Sequence, residues 1–141
     1  NLFLGSGLFN FQKFVKQNSV RTALATDIGG GTSYSMLKTM DEAYKILQLQ
    51  NQRLSPIESF YQSTLGNAQA LSLDKKIGSL EIGSDADIII LNSSATSAMK
   101  TRMETVKNLY EELFVLQTMG DDRSISQVYI KGLPCKNVAK K

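Results

Sequence analysis

The chain has 141 residues, of which 42% are hydrophobic and 21% are charged. This composition suits one globular domain with a core and is unlike that of a disordered chain. The net charge is +3, but Lys131, Lys136, Lys140 and Lys141 lie in the last eleven residues, so that 12 basic residues upstream nearly balance 13 acidic ones. A basic face of the kind that binds nucleic acid is therefore not expected.

Cysteine content and hydropathy indicate where such a chain resides. Cys135 is the single cysteine, which excludes an internal disulfide framework and suits a reducing cytoplasm. No apolar run approaches the roughly 20 residues of a membrane span, and the start at Asn1 lacks the basic residues of a signal peptide. We expect a cytoplasmic protein without membrane contact. Because the sequence starts without Met, directly in apolar residues, we interpret it as the middle of a longer protein.

The first half of the sequence predicts helices around one strand. Asn10 is a candidate cap for a short helix, and residues 20–25 read as a buried strand that ends just before Asp27. Residues 34–51 repeat apolar side chains at helical spacing. Ser55-Pro56-Ile57-Glu58 has the capping-box pattern of a helix that starts at Pro56 and is expected to end near Gly66. A further short helix is expected over residues 67–71.

The second half predicts three short strands and one long helix. The strands are expected at residues 77–83, at residues 88–91 with both faces buried, and around Val128 and Ile130, with Gly132 and Pro134 ending the last. The helix is expected over residues 101–118, followed by a turn at Asp121 and Asp122. The change of pattern near Leu73 predicts a domain boundary that separates residues 1–73 from residues 74–141.

Asp27 is the strongest candidate for chemistry. It stands where the apolar strand gives way to Gly29-Gly30-Gly31, and the carboxyl ends of strands in α/β folds are where active-site carboxylates lie. The alternative is that Asp27 caps the next helix or bonds the glycine amides. The glycines lack the spacing and the Lys of a phosphate-binding loop. We interpret them as a place where backbone passes close to a ligand or metal.

Other acidic residues have simpler interpretations. Asp85 and Asp87 follow Gly83-Ser84, where acids of a turn are ordinary. Asp121 to Arg123 suit a helix-end turn with a surface ion pair. The chain has no histidine, so neither a Ser-His nor a Cys-His nucleophile pair is available, and Asp27 could not hold a metal alone.

Four segments, at residues 26–37, 64–71, 77–87 and 119–123, together resemble the C-terminal third of the guanine deaminase family, within the amidohydrolase superfamily. Gly-Gly-Gly-Thr-Ser-Tyr-Ser-Met-Leu at 29–37 and Gly-Asp-Asp-Arg at 120–123 carry the resemblance to that family in particular. The Thr-Asp pair at Asp27 and the Gly-x-x-Ala-Asp turn occur across the superfamily. The resemblance covers nearly the whole chain, in order.

The resemblance implies an α/β fold in which the chain supplies the last units of a (β/α)8 barrel and the C-terminal part of a small flanking β domain. It implies one zinc ion held by histidines from elsewhere and by Asp27, which would serve as metal ligand, as the catalytic group that takes a proton from the attacking water, and as a substrate contact. The implied reaction converts guanine to xanthine and ammonia. A homodimer is the implied assembly.

The missing histidines limit what the chain is expected to do by itself. It retains one zinc ligand of four, so we predict that the isolated chain binds no catalytic zinc and is inactive. Two alternatives stay open. One is a related amidohydrolase that deaminates another aminopurine, a pyrimidine or a triazine; the other is a non-catalytic domain derived from such an enzyme, in which Asp27 is a cap.

Overall fold

The computed structural model describes residues 3–18 and 20–135, which contain helices and a small sheet. A single turn of π-helix, Gln12–Gln17, precedes the α-helices. The α-helices are α1 Met36–Gln48, α2 Pro56–Ser63, α3 Leu65–Ala70, α4 Ser97–Met103 and α5 Leu109–Met119. The strands are β1 Ile88–Leu91, β2 Ile125–Ile130 and β3 Leu133–Pro134. No helix among the described residues is long and apolar enough to cross a membrane.

Polar side chains define where the helices begin. The Ser55 hydroxyl accepts the amide of Glu58 while the Glu58 carboxylate accepts the amide of Ser55, which is the predicted capping box. Burial alone would raise the pKa of Glu58, but hydrogen bonds from Lys16 and Ser55 outweigh it and lower that pKa. Asn10 also behaves as predicted, since its side chain accepts the amide of Lys13 at 2.9 Å.

The sheet is antiparallel with the order β1-β2-β3. Ile88 lies opposite Tyr129, and the register shifts between Ile90 and Leu91. β2 is not the last strand, contrary to the prediction: the chain turns at Lys131 and Gly132, both at positive φ, and β3 pairs back. Two positive φ values in a two-residue loop match the turn that fits the twist of a hairpin.

Two apolar cores hold the helices together. The larger core contains Leu37 and Met40 of α1, Met99 of α4, and Val115 and Leu116 of α5. Helices from both halves of the sequence therefore share one core. The smaller core joins Phe11, Leu47 and Leu54.

Two of the predicted strands are absent from the described residues. Residues 20–26 are called the extended segment below. From Arg21 to Thr26 its side chains alternate between more and less exposed, but no strand in the described part pairs with the segment, and Val20 is 45% exposed. Residues 77–83 form turns, because Gly78 and Gly83 take positive φ values that interrupt a strand. An apolar pattern makes a strand only where a neighbouring strand supplies the ladder.

Helix limits and strand burial also differ from the predictions. Residues 101–118 are not one helix, because α4 ends at Met103 and α5 begins anew at Leu109, where the Asn108 side chain accepts the amide of Glu111. α2 stops at Ser63, and Gly66 lies inside α3 instead of ending a helix. β1 is a strand as predicted but is not buried on both faces, since Ile89 is 58% exposed.

Candidate functional site

Asp27 lies at the end of the extended segment in a left-handed backbone conformation, with φ of 49°. Its main-chain carbonyl accepts the amides of Gly30 at 2.8 Å and Gly31 at 2.5 Å, which folds the glycine loop back on itself. Asp27 does not cap the following helix, since Ser35 occupies the cap position of α1. The helix-cap alternative for Asp27 is therefore wrong.

The glycine loop passes close to the chain that carries Asp27. A methyl group at Gly30 would lie 2.6 Å from Oδ2 of Asp27, and one at Gly31 would lie 1.9 Å from the carbonyl oxygen of Thr26. Side chains at these two positions would displace Thr26 and Asp27. The glycines thus permit a close backbone approach, but to the Asp27 turn itself. Their approach to a ligand or metal stays a prediction.

A cavity of about 470 Å³ separates the extended segment from α1. Many small-molecule sites combine apolar side chains with a few polar groups. The lining of this cavity does so too, and it includes Phe11, Leu24, Thr26, Asp27, Glu42 and Gln62. Glu42, which the sequence analysis did not single out, accepts the hydroxyl of Thr32 at 2.6 Å. Asp27 therefore stands at a recess that a small molecule or a neighbouring chain could enter.

The extended segment is held by side chains of α2 and α3. Oδ1 of Asn67 accepts the amide of Leu24 at 2.9 Å, and Nδ2 of Asn67 donates to the carbonyl of Leu24 at 2.8 Å. The Thr22 hydroxyl reaches Gln62 at 3.4 Å, and Arg21 donates to a main-chain carbonyl of α3 at 3.2 Å. Sequence reasoning missed Asn67. The available signal was an amide between two small residues, Gly66 and Ala68, both of which are buried.

The other acidic candidates lie in turns and loops, and the turn with an ion pair predicted at Asp121 to Arg123 is confirmed. Asp87 accepts the amide of Lys131 in the β2–β3 turn at 2.8 Å, and the amide of Asp85 donates to the carbonyl of Lys76 at 2.7 Å. Asp121 caps a turn of 3-10 helix and forms an ion pair with Arg123 at 2.6 Å. None of these three acidic residues is among those that line the cavity beside Asp27.

The residues present do not complete a metal site by themselves. A catalytic zinc takes three protein ligands or more, and no group of three potential ligands occurs within residues 3–18 and 20–135. The described residues place Asp27 beside a cavity, with the glycine loop packed against its carboxylate. These described residues therefore contain no complete set of zinc ligands.

A model of the amidohydrolase family matches residues 1–134, and the chain belongs to that family. Within it the chain is similar to guanine deaminases of several organisms. It is 48% identical over 132 residues to the guanine deaminase of Escherichia coli strain K12, a match that covers 94% of this chain and 30% of that protein. The chain thus spans under a third of the length of this curated relative.

Solved structures show the same relationship. E. coli guanine deaminase matches with a TM-score of 0.93 at 46% identity, over 96% of this chain and 32% of that chain. The guanine deaminase of C. acetobutylicum, solved with guanine in its active site, matches with a TM-score of 0.76 at 26% identity, over 93% and 30%. An adenosine deaminase from Xanthomonas campestris with bound zinc has a TM-score of 0.67 at 23% identity over 85% and 26%, which shows a shared fold alone.

Proposed function

We propose that this chain is the C-terminal part of a guanine deaminase that hydrolyses guanine to xanthine and ammonia. The observation that carries the proposal is the place of Asp27, at the end of an extended segment and at the mouth of a cavity, in a chain similar to guanine deaminases along 94% of its length. The same similarity covers only 30% of the relative, so the rest of the active site would come from outside this chain.

The proposed fold of the whole protein is a (β/α)8 barrel with a small flanking β domain. Residues 1–73 would supply the last barrel units, with the extended segment as a barrel strand, and residues 74–141 would supply the C-terminal part of the flanking domain. The alternation of exposure along the extended segment supports this proposal, because one side of the segment faces the helices while the other side is left for neighbours.

Asp27 is the proposed site residue, as metal ligand, proton acceptor and substrate contact. Zinc, when bound, would lower the pKa of a coordinated water toward neutrality. The task of this chain is then to hold a carboxylate oxygen beside that water and to accept its proton. The left-handed turn at Asp27 and the glycine loop packed against its carboxylate support a fixed position for this group.

The partners and location follow from the same proposal. The substrate is a small purine, the full-length protein acts as a homodimer in the cytoplasm, and the isolated chain is inactive because it lacks the histidine ligands. Unpaired edges of the extended segment and of the small sheet would make the isolated chain associate with itself.

The test is to sequence the reading frame upstream of Asn1 and to assay the full-length protein. We expect several hundred residues with a His-x-His motif and further His and Glu, and release of ammonia from guanine. Asp27→Asn should reduce kcat by at least the roughly 10²-fold of a lost general base, whereas Asp85→Asn, in the β-domain turn, should leave kcat unchanged. Ammonia from another aminopurine, a pyrimidine or a triazine in place of guanine would establish the related-enzyme alternative. An unaffected Asp27→Asn enzyme would overturn the site.

A further inference from the structure

The extended segment leads directly into Asp27, and the strands that would flank it in the proposed barrel lie outside the described residues. A slip of one residue along such a segment would move Asp27 by about 3.3 Å and would turn each side chain to the opposite face. Whatever fixes the register of this segment therefore fixes the position of the candidate catalytic carboxylate.

From within the described residues, Asn67 makes the contacts that hold Leu24 in this segment. Its side-chain amide both accepts from the N–H of Leu24 and donates to the C=O of Leu24, at 2.9 and 2.8 Å. Two hydrogen bonds exchanged with one residue are what a neighbouring antiparallel strand would provide at a hydrogen-bonded pair. The side chain thus replaces one step of a ladder, three residues before Asp27.

The main chain of Asn67 is held in place by helix α3. Asn67 lies in α3, where its main-chain carbonyl accepts the amide of Leu71, and its neighbours Gly66 and Ala68 are buried. The other contacts of the extended segment are single: the Val20 amide donates to the carbonyl of Phe14 at 2.9 Å, the Thr22 hydroxyl donates to Gln62 at 3.4 Å, and the Arg21 guanidinium donates to the carbonyl of Gln69 at 3.2 Å. None of them bonds both polar groups of one peptide residue.

We propose that Asn67 is a positioning residue for the deamination reaction, which clamps Leu24 and thereby sets the register that places Asp27 at the metal and the substrate. The proposal rests on the proposed function. Asn67 is not among the residues that line the cavity beside Asp27.

The test uses Asn67→Ala and Asn67→Asp in the full-length enzyme, with kcat, KM and the pH profile as readouts. Asn67→Ala should lower kcat by on the order of 10²-fold, the effect of misplacing a catalytic group by about 1 Å, with less change in KM. Asn67→Asp keeps the shape but presents a second acceptor to the carbonyl of Leu24, so it should be equally impaired at neutral pH. Below the pKa of the new carboxyl, its O–H again donates to Leu24, and kcat relative to wild type at the same pH should recover.

Gln69→Ala is the matched control, because Gln69 lies in the same helix and its side chain accepts from Tyr61, not from the extended segment. This variant should retain wild-type kcat. Recovery of Asn67→Asp within one folded protein separates positioning from a general loss of structure, which would not reverse on acidification. Wild-type kcat in both Asn67 variants, or a pH profile of Asn67→Asp parallel to that of wild type, would overturn the clamp.

Hydrogen exchange at the amide of Leu24 separates this proposal from the proposed function. Asn67→Ala should lower the protection of that amide, whether or not Asp27 is catalytic, and unchanged protection would overturn the clamp. Asp27→Asn should reduce kcat by at least roughly 10²-fold without altering Leu24 protection. An active Asp27→Asn enzyme would overturn the role of Asp27 alone, and the clamp would then be decided by the exchange at Leu24.

Discussion

Asp27 holds a backbone conformation that few residues adopt. A positive φ disfavours most side chains, while Asp and Asn tolerate it because a short polar side chain bonds locally. Such conformations persist where the surroundings determine them, and here two glycine amides converge on the carbonyl of the same residue. The local geometry thus ties Asp27 to the glycine loop, which agrees with the functional role proposed for it.

The ion pair of Asp121 with Arg123 affects the titration of both side chains. Side-chain hydrogen bonds from Arg123 lower the pKa of the Asp121 carboxyl, and the pKa of Arg123 is raised in turn by Asp121. Since the folded pKa of Asp121 is below its unfolded value, its favourable contribution is complete above the unfolded value and is lost as the pH falls through the lowered pKa. Arg123→Ala should return the carboxyl pKa toward its ordinary value, measured by carbon NMR of the side chain.

The control for this titration is Arg102→Ala. Arg102 is also on the surface, but its guanidinium donates to Thr105. Its removal should leave the carboxyl pKa of Asp121 where it is in the wild type. An equal shift of that pKa in both variants would show that net charge, and not the ion pair, controls the titration.

At the scale of elements, capping decides where helices begin, and neighbouring strands decide where extended chain becomes a sheet. α2 begins where its capping box predicts, because that signal lies within four residues, Ser55 to Glu58. The extended segment and residues 77–83 carried a strand signal as well, but a ladder needs a second strand, and none in the described part of the chain lies beside them. Local sequence carries the first kind of information and not the second.

The capping box of Ser55 and Glu58 is expected to stabilise the start of α2. Ser55→Ala removes the acceptor for the Glu58 amide and should lower the free energy of unfolding by about 1 kcal/mol. Urea denaturation measures it. Ser63→Ala, near the other end of α2, removes a bond to the carbonyl of Ser59 that the helix already uses, and should have a smaller effect. Equal effects of the two substitutions would contradict the assignment of stability to the cap.

For the whole molecule, the larger core joins the two halves that the sequence separates near Leu73. α5 packs on α1 within this core, and Gln117 of α5 donates to Ser59 of α2 at 2.8 Å, with both residues fully buried. The division into residues 1–73 and 74–141 stays a prediction. Because residues of both halves share one core, this predicted division can be tested by a substitution in that core.

Met99 provides that test. It is 1% exposed and lies in α4, on the C-terminal side of the predicted boundary, packed with Leu37 and Met40 of α1. Met99→Ala in the full-length protein should lower the free energy of unfolding by about 2–5 kcal/mol. It should also lower hydrogen-exchange protection of the α1 amides, because the cavity adjoins that helix. Leu80→Ala, at a side chain 83% exposed, is the control. Unchanged protection of α1 would favour two independent domains.

Much of the helical structure and the candidate carboxylate could be predicted from sequence. The helix over residues 34–51, the start at Pro56 and the turn at Asp121 follow from spacing and from caps that act over three or four residues. The break at Asn108 was missed because an apolar stripe continues across it, so that periodicity hid the cap.

The sequence alone determined the family resemblance, the helix starts and the choice of Asp27, because each depends on residue type and short spacing. Tertiary structure alone decided that Asn67 bonds Leu24, that the two halves share a core, and which apolar runs become strands. The Asn67 contact and the shared core join residues 43 or more positions apart, and the formation of a strand depends on whether a partner strand is present. No local pattern encodes which distant residue will fill a given contact, since that depends on how the whole chain packs.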